Sequence, residues 1–159
     1  MALTLNELTV NFGHLKRELL LEDWRWLLGP TKQPILLTAI GDAFLQDMGD
    51  GSILLLDVAA GELLRVADDL AAFDALLADR EFVVNYFAVE MVADLRNAGV
   101  TLGPGQIYSF RQPPVLGGEY TLENVEPTDI EVHFSLTGQI LRQVRGLSPG
   151  TMIGKINIE

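Results

Sequence analysis

The sequence predicts an α+β fold, an antiparallel β meander packed against several α-helices. Two observations carry this. Apolar runs at 35–40, 53–58 and 62–67 follow one another with turn residues between them, the pattern of strands joined by hairpins. Stretches on either side of that block place leucines and aromatics at helical spacing, so helices cover one sheet.

The elements follow in order. HLKRELLLEDWRWLLGP reads as one helix ending at Leu28, with Leu20, Trp24, Leu27 and Leu28 in phase and Gly29-Pro30 as its stop. TKQP is a short linker. ILLTAI predicts a strand that continues through Ala43 to Gln46, with Gly41 as a bulge or bend. Asp50-Gly51 predicts a two-residue hairpin with positive φ at both positions. ILLL at 53–56 lacks alternation, so this strand is expected to be buried on both faces. ELLRVA closes the meander.

Asp68 or Asp69 caps a helix carrying Leu70, Phe73, Leu76 and Leu77, and Asp79 caps a longer one that runs to Gly99. The latter presents Phe82, Tyr86, Val89 and Ala93 on one face. Residues 102–127 are rich in breakers and must hold short strands or be functional. IEVHF at 130–134 alternates as a strand, Ser135 caps a last helix with Leu136, Ile140, Val144 and Leu147 in a stripe, and Met152 to Ile158 predicts an edge strand.

At 159 residues, with 48% hydrophobic and 21% charged residues, the chain can bury an ordinary core. We expect a domain over 35–159 preceded by a helical extension at 1–34. Its apolar runs are too short to span a bilayer, and MALTLNELTV has no secretory n-region, so a cytoplasmic location is expected. The absence of cysteine excludes disulfides, thiolate metal sites and a cysteine nucleophile. Eleven basic against 22 acidic residues give a net charge of −11; it repels nucleic acid and anionic membranes, and it serves either solubility alone or association with a basic partner.

Sequence motifs for catalysis are missing. His14 and His133 have no metal-spaced companions and HExxH is absent. Glu131 and His133 would share a strand face as an exposed polar pair. LGPGQ lacks the Gly-Lys-Ser/Thr of a phosphate loop, and there is no GxSxG. QDMGDG resembles a calcium loop only superficially, because Met48 stands where an oxygen ligand is required. No catalytic residue, metal or cofactor is expected. YSFRQPPVLGGEYTLENV has no visible catalytic group to cover. It reads as a structural wrap, ahead of a partner-contact loop, whose aromatics anchor in the core.

From Ile35 onward the chain resembles a known family. The residues that carry the likeness are GDAFLQDMGDGSILLLDVAAGELLRVADD, LGPGQIYSFRQPPVLGGEY, ENV and GQILRQVRGLSPGT. They resemble the C-terminal domain of immunity proteins for type VI secretion DNase toxins. The resemblance implies a non-enzymatic protein that binds and blocks a cognate toxin, with a basic nuclease as partner and no direct contact with nucleic acid or membrane. An intracellular regulatory or small-ligand-sensing module is the alternative. Candidate partner-binding residues are the hairpin acids Asp47, Asp50 and Glu62 and the loop acids Glu119, Glu123 and Glu126.

Overall fold

The computed structural model describes residues 3–148 and 150–159; the first two residues and Pro149 of the GLSPGT motif lie outside it. A five-stranded antiparallel meander forms its centre, in the order β1-β2-β3-β4-β5. The strands are β1 (Thr9–Val10), β2 (Lys32–Thr38), β3 (Ala43–Asp47), β4 (Ile53–Asp57) and β5 (Glu62–Ala67). Around it lie α1 (Leu5–Leu8), α2 (Arg17–Leu20), α3 (Arg25–Leu28), α4 (Leu70–Leu77), α5 (Arg80–Tyr86), α6 (Val89–Asn97) and α7 (Ile130–Val144). A separate two-stranded ribbon pairs β6 (Gln106–Phe110) with β7 (Val125–Asp129).

The non-alternating ILLL run has the explanation expected of it, because each face of β4 meets its own core. On one face Leu37, Ala43, Leu45 and Leu56 pack with Trp24, Leu28, Ile130, Phe134 and Leu141 from α3, α7 and the turn before α3. On the other, Phe44, Ile53, Leu55 and Ala67 pack with Phe73, Phe82, Phe87, Val92 and Leu95 from α4, α5, the α5–α6 junction and α6. Phe44 is fully buried, with ring centroids 4.9 Å from Phe73 and 5.4 Å from Phe87. Such pairs add about 0.5–1.5 kcal/mol each to the burial of the rings. The segment before β2 contributes Leu8, Leu20, Leu21 and Trp24 to these cores, and Thr9 pairs with Thr38.

Several expectations need correction. The expected continuous strand from 35 to 46 reverses at Gly41 (φ 85°), so β2 and β3 form a hairpin. At the next turn only Gly51 has positive φ (80°); Asp50 instead accepts from the Ser52 N–H at 2.9 Å and the Ser52 hydroxyl at 2.6 Å. An aspartate that bonds its own following backbone supports a longer loop without a left-handed conformation. The expected helix over 14–28 is two short helices with a 3₁₀ turn between them at Glu22–Trp24. Likewise the helix expected from 80 to 99 breaks at Ala88, which adopts φ 49°, and α5 and α6 each contribute apolar residues to the core that holds Phe44.

IEVHF is helix, not strand. Helix α7 starts at Ile130, and its buried stripe is Ile130, Phe134, Leu141 and Val144, whereas Leu136 and Leu147 are exposed. Gly138 lets this helix meet the chain at Asp23, since a Cβ there would fall 2.6 Å from the Asp23 carbonyl oxygen. Trp26 Nε1 donates to the Gly138 carbonyl at 3.2 Å and the Ser135 hydroxyl to Asp23 Oδ2 at 2.7 Å. The strand expected at 152–158 is absent among the described residues. Instead, Gln139 and Gln143, one helical turn apart, each exchange two hydrogen bonds with the extended backbone at Glu159 and Asn157. Their spacing along α7 matches alternate residues of an extended chain.

Candidate functional site

Breakers in the 108–125 stretch build a roof. After β6 the chain makes a 3₁₀ turn at Pro114–Leu116, passes Gly117-Gly118, and returns through a second at Leu122–Asn124 into β7. Asn124 holds the loop shut: its Oδ1 accepts from the Gln112 N–H at 2.9 Å, and its Nδ2 donates to the carbonyls of Gln112 and Glu119. Gly118 is required because a Cβ would lie 1.8 Å from the Gln112 carbonyl oxygen. Tyr108 anchors in the core, donating its hydroxyl to the Val100 carbonyl at 2.6 Å. Tyr120 departs from the expected anchor role. It is 64% exposed and packs edge-on against Phe110 at 5.1 Å.

Beneath Phe110, Pro113, Pro114 and Tyr120 lies a cavity of about 200 Å³. Its floor carries Asp42 from the β2–β3 turn, Asp57 from the end of β4, Ser109 from β6, and His133 and Thr137 from α7. The wrap therefore covers polar chemistry that four separated segments bring together. Asp42 and Asp57 also line an adjoining depression of about 330 Å³ with Glu62, Asn85 and Tyr86. A wider, open groove of about 940 Å³ between residues 6–14 and 102–108 includes His14, Arg96 and Glu7.

His133 is 4% exposed and sits edge-on to Phe134. Its Nε2 faces the Gly41 carbonyl at 2.8 Å and its Nδ1 faces the Ser109 hydroxyl at 2.8 Å. A carbonyl only accepts, so Nε2 carries the proton. Burial pushes the imidazole down to about 4 despite the Gly41 bond, leaving it neutral with Nδ1 as acceptor. Ser109 must then donate to it. Expected as an exposed partner of Glu131, His133 instead lies on the buried side of a helix whose Glu131 faces solvent.

Asp42 is half-buried, and neighbouring protein crowds its carboxyl. Oδ1 accepts from the Val58 N–H at 3.0 Å. Burial raises its pKa to about 7; the Val58 bond opposes the rise and Asp57 adds to it. The Tyr120 phenol is raised by partial enclosure and then by Asp57 and Asp42.

The six acids named from sequence are dispersed. Asp47 and Asp50 lie at the β3–β4 end of the sheet, where Asp47 meets Lys32 at 3.5 Å and Asp50 meets Arg65 at 3.7 Å. The Gly49 N–H holds the Asp47 carboxyl below the usual range, and Ser52 does the same for Asp50. Glu62, paired with Asp57, is at the opposite end and lines the adjoining depression. Glu119 and Glu123 are exposed on the roof loop, and Glu126 pairs with Arg111 at 3.2 Å. Reasoning from sequence missed Asp42, Asp57, Ser109 and Tyr120.

The fold and the roofed cavity define an α+β module with a meander between helical layers, and its comparisons accord with this. A crystal structure described as Atu4351 from Agrobacterium tumefaciens is similar with a TM-score of 0.52 at 21% identity, over 76% of this chain. At that identity the likeness is one of fold. The chain spans 60% of that protein's length. No curated protein matches the sequence. Residues 67–141 match the family described as T6SS immunity protein Tdi1, C-terminal. The matched segment contains the IYSFRQPPVLGGEY and ENV motifs, whereas the strands from Ile35 to Val66 precede it. It includes most of the cavity's lining, Ser109, Tyr120 and His133 among them. Among the described residues no helix is long and apolar enough to cross a membrane.

Proposed function

We propose that this chain is an immunity-type protein that binds and neutralises a cognate toxin, and that the toxin is a nuclease with a basic surface. The match of residues 67–141 to a type VI secretion immunity family carries the reading. The net charge of −11 supports it. A nuclease must present positive charge to DNA, and an acidic binder gains both encounter rate and complementarity from that. The loop acids Glu119, Glu123 and Glu126 and the hairpin acids Asp47, Asp50 and Glu62 are the proposed steering charges.

Binding rather than catalysis also fits the floor of the cavity. Ser109 and His133 form a hydroxyl–imidazole pair, but the second ring nitrogen rests on a backbone carbonyl where a carboxylate would be needed. An imidazole held down to about 4 is a weak base at neutral pH. Retention of the product of the neighbouring gene in a pull-down, with loss of that product's nuclease activity, tests the proposal. A neighbour that is harmless and is not retained would refute it.

The roofed cavity favours a second reading, a module that senses a small ligand. A thermal-shift screen separates the two, because a ligand bound at a hundred times its Kd stabilises the native state by about 2.7 kcal/mol.

A further inference from the structure

The polar lining of the roofed cavity is made mostly of acceptors, with the Tyr120 hydroxyl as a donor. Ser109 gives its proton to His133 Nδ1, because the Gly41 carbonyl has fixed the ring's tautomer. Thr137 gives its proton to the His133 carbonyl at 2.7 Å. Both hydroxyl oxygens therefore keep only lone pairs for an occupant. Asp57 Oδ1 accepts from the Ala60 N–H at 3.1 Å, and Asp42 Oδ1 from Val58. Among the described residues, Oδ2 of neither aspartate has a hydrogen-bond partner. Among the described residues no lysine or arginine lines the cavity or the adjoining depression, and Glu62 adds a third carboxylate there. The other walls are apolar or aromatic: Met91, Leu141, Phe110 and the Tyr120 ring.

We propose that this cavity is a receptor for one guanidinium or alkylammonium group on a short apolar stem. Such a group supplies several donors and one positive charge to a wall that offers acceptors and negative charge. Phe110 and Tyr120 face it as aromatic rims. About 200 Å³ admits one such group and excludes a nucleotide or a folded peptide element. Arriving as an Arg or Lys side chain, it would be the anchor of the basic partner proposed above, so only the source of the cation rests on that reading. A free organic cation is the other source.

Cation entry also displaces the proton that Asp42 shares at neutral pH. The groups facing Asp42 are Asp57 from β4, Glu62 from β5, Tyr86 from α5, Tyr120 from the roof and neutral His133 from α7. None supplies a competing positive charge, so binding releases protons and strengthens as pH rises through 7.

Titration of the full chain with acetyl-arginine methylamide, agmatine and the neutral acetyl-citrulline methylamide tests the proposal. Calorimetry in two buffers of different ionisation enthalpy reads the protons released. Saturable binding of either cation, at least tenfold tighter than citrulline and weakened about tenfold or more by Asp57→Asn, is expected. Tyr120→Ala, at an exposed position, gives a second weakened variant that does not depend on the sheet. Tighter binding of the blocked arginine assigns the cation to a protein side chain, and tighter agmatine to a free metabolite. Equal binding of citrulline, or no saturation by either cation below about 10 mM, overturns the proposal. No partner is needed in this titration, so its failure leaves the pull-down result standing.

Discussion

The imidazole of His133 bonds to the Gly41 carbonyl at 2.8 Å, and a Cβ on Gly41 would lie 2.3 Å from the same ring nitrogen. Helix α7 and the β2–β3 turn thus meet at a point where only hydrogen fits, with Gly41 already at φ 85°. Gly41→Ala combines a steric clash with a left-handed backbone, and should cost about 3 kcal/mol or more. Urea midpoints measure it. A midpoint equal to wild type would show that the ring can move aside.

Two buried groups at this junction give stability opposite dependences on pH. The native His133 binds its proton near 4, against 6.5 for an ordinary imidazole. Its contribution is complete above 6.5 and is lost as pH falls through 4. Native Asp42 titrates at about 7, against 3.8 for an ordinary aspartate. Its contribution is complete below 3.8 and is lost as pH rises through 7. Each slope is at most about 1.4 kcal/mol per pH unit. Asp42→Asn removes one slope, so the variant should gain about 2–3 kcal/mol on wild type between about pH 4.5 and 7.5. A constant difference across that range would contradict the assignment.

The roof should loosen without unfolding the sheet. Asn124→Ala deletes three hydrogen bonds that close the loop, a loss of about 1–3 kcal/mol. Hydrogen exchange should rise across 111–124 and stay unchanged in β4. Equal acceleration in both would mean that the wrap is part of the global unfolding unit.

Electrostatic steering has its own signature. Charge reversal at Asp47, Asp50, Glu62, Glu119, Glu123 and Glu126 together should slow association with the toxin at low salt. The effect should shrink once the Debye length falls to about 8 Å at physiological ionic strength. Association rates that ignore both the substitutions and the salt would remove steering from the account.

Much of the meander was legible because its strands carry their own punctuation. Glu62–Ala67 has the predicted bounds of β5, and Asp69 caps α4 by accepting from the Ala72 N–H at 2.8 Å. IEVHF misled because Ile130, Val132 and Phe134 satisfy period two, while Ile130 and Phe134 also satisfy the helical period. Five residues cannot separate the two, and the packing of α7 on Trp24 and Leu37 decides. The break at Ala88 was hidden for another reason. A left-handed alanine leaves no mark in the sequence, whereas Gly41 and Gly51 announce themselves. The cavity was least legible of all. Asp42, Asp57, Ser109 and His133 are singly unremarkable, and only the closure of β2–β4 against β6 and α7 brings them together.

Growth rescue tests the central claim most directly. A host expressing the product of the neighbouring gene alone should lose viability and show degraded DNA. Co-expression of this chain should restore both growth and intact DNA, with the two proteins recovered as a complex. Undiminished killing at equal expression of a folded chain would contradict the immunity reading.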